Sequence, residues 1–365
     1  MKKVLILTAS TGGGHNQVAK TLEHLLDGEA EVRRVDFLKE ESRIMDMIVA
    51  EGYDVLATKF PELYGRLYRL SNRGRKETKL NDLIRKMVHR RVREIIKDYE
   101  PDLIVGCHAF SIPIISALKR RGYYNHKFIS IITDFEAHFG YISKKVDYYI
   151  TGSDYTGLSL QAKGVDASKI NCLGIPVSPV FYENRTPKLN HEPFTILVMG
   201  GSMGVDYMED TVEALFQIKV PVRFIVVCGN NSHLEEKFKR RVESLPLDNP
   251  VEIHGFVNNI QELMDASDLI VTKPGGLTAT ESIVKNIPMV VPYYIPGQEE
   301  ENLNYLTLAN LAIAVRDINK IGTTIAFLIN NKERLRQMHE SMSYVSKNYS
   351  LEGVKALMLS AIEEE

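Results

Sequence analysis

Twice in this chain a short, wholly apolar run breaks into glycines and then into an amphipathic stretch. Residues 4–7 lead into Gly12, Gly13 and Gly14, and residues 196–199 lead into Gly-Gly-Ser-Met-Gly at 200–204. An apolar run of this length bounded by glycine reads as a strand buried on both faces, as in parallel sheets. Similar runs recur at 103–105, 128–132, 148–150, 224–228, 269–271 and 289–291. Between them Val18, Leu22, Leu25 and Leu26 fall on one helix face, and Leu80, Leu83, Ile84, Met87, Val88, Val92, Ile95 and Ile96 on another. The alternation predicts an α/β chain built on two doubly wound parallel sheets. At 365 residues the chain exceeds what one core serves. The segment 178–193, with three prolines, reads as the linker. The expected domains are 1–177, completed by a C-terminal helix over 341–365, and 194–340. Two such sheets facing each other would leave a crevice at the carboxyl ends of their strands.

No apolar stretch approaches the roughly 18 residues needed to span a bilayer, so membrane contact is expected to be peripheral. Lys2 and Lys3 precede an apolar run too short for a signal peptide. Cys107, Cys172 and Cys228 are odd in number and far apart, which favours reduced core thiols and a cytoplasmic setting over disulfides or a metal site.

Polar residues at the ends of the strands carry the chemistry. The loop 200–204 lets backbone amides approach an anion, with a helix dipole behind them, although glycine serves a plain tight turn equally well. No Gly-Lys-Ser/Thr follows, which disfavours a P-loop ATPase. The run Thr272-Lys273-Pro274-Gly275-Gly276-Leu277-Thr278-Ala279-Thr280-Glu281 turns a buried strand into a helix with an acid inside it. Its amides suit a diphosphate, and Glu281 suits ribose hydroxyls or, more simply, a helix dipole. Gln298, Glu299, Glu300, Glu301 and Asn302 suit the hydroxyls of a hexose, or form a solvated face. His15 follows the triple glycine at a helix start, where its cation is disfavoured, so it is either a neutral base or a turn cap. Asp134 and His138 follow the run 128–132, where Asp134 can also cap a helix. No Asp-x-Asp triplet is present, so no metal and no separate cofactor are expected, and leaving-group charge falls to amides and dipoles.

Together these segments resemble the processive diacylglycerol glucosyltransferases of Gram-positive bacteria and the plant monogalactosyldiacylglycerol synthases, which share the GT-B fold with the peptidoglycan N-acetylglucosaminyl transferase. The matching pieces are residues 4–8 with 12–15, Thr133-Asp134, Gly174-Ile175-Pro176, Val227-Cys228-Gly229, Gly255-Phe256-Val257, 272–281 and 296–302. The resemblance implies an inverting transfer of a hexose, glucose by preference, from a UDP-sugar to diacylglycerol or glycosyl-diacylglycerol. His15 would be the base, and Asp134 and His138 would orient the acceptor or His15. Gly14, Gly201, Ser202, Gly204, Gly229, Gly255, Phe256, Val257, the run 273–278, Glu281, Gln298, Glu299, Glu300 and Asn302 would hold the donor. The amino-terminal loop reads Gly-Gly-Gly-His, as in the plant-like members, where bacterial glucosyl members often carry Gly-Asn-Gly-His, which leaves glucose and galactose both open. A UDP-GlcNAc 2-epimerase and a non-catalytic UDP-sugar-binding regulator are the alternative readings.

Net charge is −2, yet the segment 61–97 alone carries twelve Lys/Arg against four acids. Leu56, Phe60, Leu63, Tyr64, Leu67, Tyr68 and Leu70 are interleaved with or adjoin those basic residues. Basic residues among leucines and aromatics describe a surface lying in the headgroups of an anionic leaflet, where each Lys or Arg contributes about 1 kcal/mol. A nucleic-acid partner and a plain solvated helix face are the competing readings, and the apolar interleaving favours the membrane over nucleic acid. The expected location is therefore the inner face of the cell membrane.

Overall fold

The computed structural model describes residues 1–9, 13–37, 39, 60–72, 79–183, 192–200, 205–244 and 248–364. The chain divides into two compact units. The first comprises Met1–Pro179, Pro296–Gln298 and Asn348–Glu365; the second comprises Val180–Ile295 and Glu299–Lys347.

The first unit opens with strand β1 (Lys3–Thr8), helix α1 (Gly13–Leu25) and strand β2 (Glu31–Asp36). Helices α2 (Pro61–Ser71) and α3 (Lys79–Tyr99) follow, then β3 (Leu103–Gly106), α4 (Ser111–Arg120), β4 (Lys127–Ile131), β5 (Tyr148–Ile150), α5 (Asp154–Ala162) and β6 (Ile170–Asn171). Its six strands pair in the order β2-β1-β3-β4-β5-β6, all parallel. Leu5, Leu7, Ile104, Phe128 and Tyr149 from the sheet pack with Val92, Ile95, Ile115 and Leu118 from the helices. β1 and β3 are apolar at nearly every position because helices cover both faces of the sheet.

The second unit repeats the plan. It runs through β7 (Phe194–Met199), α6 (Val205–Leu215), β8 (Val222–Val227), α7 (Ser232–Ser244), β9 (Val251–His254), α8 (Ile260–Asp265) and β10 (Leu269–Thr272). It continues with α9 (Gly276–Val284), β11 (Met289–Val291), α10 (Gln298–Leu308, whose first residue belongs to the first unit), β12 (Ala312–Ala314), α11 (Ile321–Asn330) and α12 (Lys332–Ser346). The strand order is β12-β11-β10-β7-β8-β9, again all parallel. The last helix, α13 (Leu351–Glu363), belongs to the first unit. Tyr349 leads into it, its hydroxyl 2.5 Å from the Gly152 carbonyl oxygen and its ring against Gly174. Thus α12 stays with the second unit, and only the end of the stretch 341–365 returns to the first.

In each sheet the order reverses once, at β1/β3 in the first and β7/β10 in the second. Open α/β sheets bind ligands at the carboxyl ends of the strands flanking such a reversal.

Candidate active site

At the reversal in the first unit, β1 leads towards α1 and β3 exits into Cys107 and His108. His15 is the third residue of α1. Its Nδ1 lies 2.8 Å from the carbonyl oxygen of Cys107 and 3.1 Å from Thr133 Oγ1, just past β4. A carbonyl only accepts, so the ring proton is on Nδ1, and Nε2 keeps its lone pair. Burial pushes the His15 pKa down to about 4 against an ordinary 6.5, and the bond to Cys107 offsets only part of that. The helix start disfavours the cation further. The result is a neutral imidazole with a fixed tautomer and an unprotonated Nε2.

Asp134, the next residue after Thr133, is buried, and its Oδ1 lies 2.5 Å from Gln298 Nε2. His138 is committed at both nitrogens: Nδ1 accepts the Gly140 amide N–H at 2.9 Å, and the ring hydrogen-bonds the Tyr68 carbonyl. The Tyr68 ring packs on it with centroids 4.9 Å apart. His138 therefore caps its own turn and fastens α2.

At the reversal in the second unit, β10 ends in the turn 273–275 and α9 begins. Among the described residues no side chain caps α9, so its first-turn amides, which have no intrahelical partner, are open to an anion. Asn302 is fully buried and donates through Nδ2 to the Pro274 carbonyl at 3.1 Å, fixing the turn. Lys273 forms an ion pair with Glu299, whose other oxygen accepts the Ile295 amide N–H at 2.9 Å. Glu299 and Lys273 thus brace the turn from within, while Glu300 lies on the half-buried flank of α10.

Glu281 stands apart. Its carboxyl is buried in α9 and desolvation alone pushes its pKa up to about 8, with no hydrogen bond or ion pair to another described side chain. A carboxyl kept dry without a partner is costly unless a ligand supplies donors. After β8 the chain turns at Gly229 with φ +59°. After β9, Gly255 sits so close to Glu235 that a Cβ would fall 2.3 Å from its Oε2. Phe256 then projects with 65% of its surface exposed, and Val257 is half-buried. Gly14 lies in the first turn of α1, and Gly275, Gly276, Leu277 and Thr278 in the start of α9 or just before it. Gly201, Ser202 and Gly204 lie outside the described residues.

Cys107 and His108 belong to the first site although the sequence reading passed them over. Cys107 acts through its carbonyl, which leaves no trace in residue type. His108 carried the same signal as His15 and Asp134, a polar residue just after a buried run.

Two parallel six-stranded sheets, each reversing its strand order once, make up the GT-B architecture. Acinetobacter baumannii MurG superposes with a TM-score of 0.69 at 15% identity, covering 99% of this chain and 100% of that one. A Neisseria meningitidis UDP-GlcNAc 2-epimerase bound to UDP-GlcNAc superposes with 0.60 at 12%, covering 100% of each. Residues 15–177 match the family described as monogalactosyldiacylglycerol (MGDG) synthase, and residues 195–357 match the glycosyltransferase family 28 C-terminal domain. The processive diacylglycerol beta-glucosyltransferase of Bacillus subtilis (strain 168) is 31% identical over 356 residues, 93% of this chain and 90% of that protein. The chain belongs to this family of diacylglycerol glycosyltransferases.

Proposed function

We infer that this protein transfers a hexose, glucose by preference, from a UDP-sugar to the hydroxyl of diacylglycerol or of a glycosyl-diacylglycerol, making membrane glycolipid. The observation that carries the reading is His15: neutral, with Nδ1 committed to Cys107 and Nε2 free to accept a proton. The acceptor oxygen attacks C1 of the sugar, its proton passes to Nε2, and the bond from C1 to the phosphate oxygen breaks with inversion. UDP leaves with its new charge facing the uncapped amides of α9. Glu281 accepts hydrogen bonds from the ribose hydroxyls, and Phe256 covers the base. Gly201, Ser202 and Gly204 complete the diphosphate loop, and Gln298 and Glu300 reach the sugar. Asp134 orients the acceptor.

The acceptor lives in a bilayer, and α2 suits one. Phe60, Leu63, Leu67 and Leu70 form a stripe along it, each between 47 and 57% exposed, with Arg66 and Arg69 beside them. Its other face turns inward through Tyr64, Gly65 and Tyr68. An apolar stripe flanked by arginines lies in the interface of an anionic leaflet. Among the described residues no helix is long and apolar enough to cross a membrane. Residues 53–59 and 73–78 of the basic, apolar region lie outside the described residues.

The test is incubation with UDP-glucose, UDP-galactose or UDP-GlcNAc and anionic liposomes containing diacylglycerol, followed by mass spectrometry of the extracted lipids. A hexosyl-diacylglycerol is the expected product. Epimerised UDP-GlcNAc without lipid, or bound UDP-sugar with no transfer, would replace the reading with an epimerase or a regulator.

A further inference from the structure

His108 has no part in the reaction above, yet it touches the base. The two imidazoles meet edge to face, with centroids 4.5 Å apart and planes at 69°. His108 is buried, and its Nδ1 accepts the Phe110 amide N–H at 3.1 Å, so its proton sits on Nε2. Its own carbonyl is held by Ser111 twice, through the amide at 3.0 Å and the hydroxyl at 2.7 Å. Ser111 in turn presses on Gly106, where a Cβ would fall 2.2 Å from Ser111 Oγ. The loop that carries both His108 and the Cys107 carbonyl is thereby fixed.

We propose that His108 is a positioning residue for His15: its ring holds the imidazole in the orientation that commits Nδ1 to Cys107, and it bars water and a second positive charge from the pocket. Two imidazoles in contact do not both take a proton, because like charges at this separation disfavour each other and burial disfavours either one. The cause is written on both rings: burial lowers each, and His15 lowers His108 further. Among the described residues the other titratable groups near the pair are Cys107 and Tyr141, both held uncharged by burial, and Asp134, which faces Tyr141. His15 thus stays a proton acceptor well into the acid range, while its lone pair keeps one direction.

The inference rests on His15 acting as the base, and two separate measurements keep the claims apart. In His108→Ala, side-chain NMR should show His15 titrating one to two pH units nearer its ordinary 6.5, with the Nδ1–H tautomer no longer dominant. The acid limb of kcat/KM for the lipid acceptor, taken at saturating UDP-glucose, should move with it, while KM for UDP-glucose stays within about threefold. His108→Phe, which refills the volume without a titratable group, should return the limb most of the way. His108→Gln serves if the alanine variant does not fold. An unmoved His15 titration and tautomer in a folded variant would overturn the proposal. A moved titration with an unmoved acid limb would support it and remove His15 from the role of base.

Discussion

His15 Nδ1 donates to the carbonyl oxygen of Cys107 at 2.8 Å, across the place where the first sheet reverses its strand order. A side chain from the helix after one central strand is thereby locked to the backbone leaving the other. The lock decides which nitrogen is basic. His15→Ala should lower kcat by about 10²- to 10⁴-fold, the usual span for a lost general base. UDP affinity, measured by calorimetry, should change little, since the groups proposed to hold UDP, Glu281, Phe256 and the first amides of α9, lie in the second unit and do not include His15.

The same histidine sets a pH signature. With its pKa near 4, kcat/KM for the lipid acceptor, taken at saturating UDP-glucose so that the Glu281 proton is already displaced, should be flat from about pH 5 through neutrality and fall only below that, as a pH-rate profile will show. The stability linkage has the matching sign. Between the folded value and 6.5 the unfolded chain binds the proton more readily, so His15's contribution is complete above 6.5 and is lost as pH falls towards 4.

Much of this was readable beforehand, and the omissions have physical reasons. The apolar runs predicted eight strands, and the structure has all of them. The four strands without such a prediction, β2, β6, β9 and β12, are the four edges of the two sheets. β2 carries Arg33 and Arg34, and β6 is two residues long, so neither presents the continuous apolar run of a central strand. The acids 299–301 looked alike in sequence. Glu299 points inward because it shares a helix face with Asn302, and that face depends on where α10 begins. The mixed leucines and tyrosines around α2 were likewise separable only once the helix was seated: Tyr64 faces in, and Leu63 and Leu67 face out.

Glu281 gives a prediction about protons. At pH 7 a carboxyl with a pKa near 8 is mostly protonated, and ribose hydroxyls that donate to it favour the carboxylate. UDP binding should therefore release close to one proton, seen by calorimetry in buffers of different ionisation enthalpy, and affinity should rise with pH up to about 8. Glu281→Gln should abolish the release and weaken UDP by roughly 10- to 100-fold, the range for hydrogen bonds to a charged group. Because the folded pKa is raised, the ligand-free protein should lose stability as pH climbs from 4.5 through 8, and UDP should oppose that loss.

Gly174 tests how α13 is held on the first unit. Its φ is +86°, and a Cβ there would fall 2.6 Å from Tyr349 Cγ. Tyr349 cannot retreat without giving up its bond to the Gly152 carbonyl. Gly174→Ala combines left-handed strain with overpacking, and denaturant unfolding should show a loss of about 2–4 kcal/mol. Tyr349→Phe, which removes only the hydroxyl, should cost about 1–2 kcal/mol.

The membrane contact proposed for the stripe on α2 is separable from the chemistry. Leu63 and Leu67 are exposed and lie one helical face away from Tyr64 and Tyr68, so acidic replacements there should leave the fold intact. Partial burial of a leucine in the interface is worth roughly 1.5 kcal/mol, or about tenfold in partitioning. Leu63→Glu with Leu67→Glu should therefore lower sedimentation with anionic liposomes about 100-fold, and turnover on liposomes should fall in step. Turnover on a short-chain diacylglycerol dispersed in detergent should be preserved, because that acceptor reaches His15 without a bilayer. Equal loss on both acceptors would mean that the stripe serves the reaction itself, and α2 would lose its role as the membrane contact.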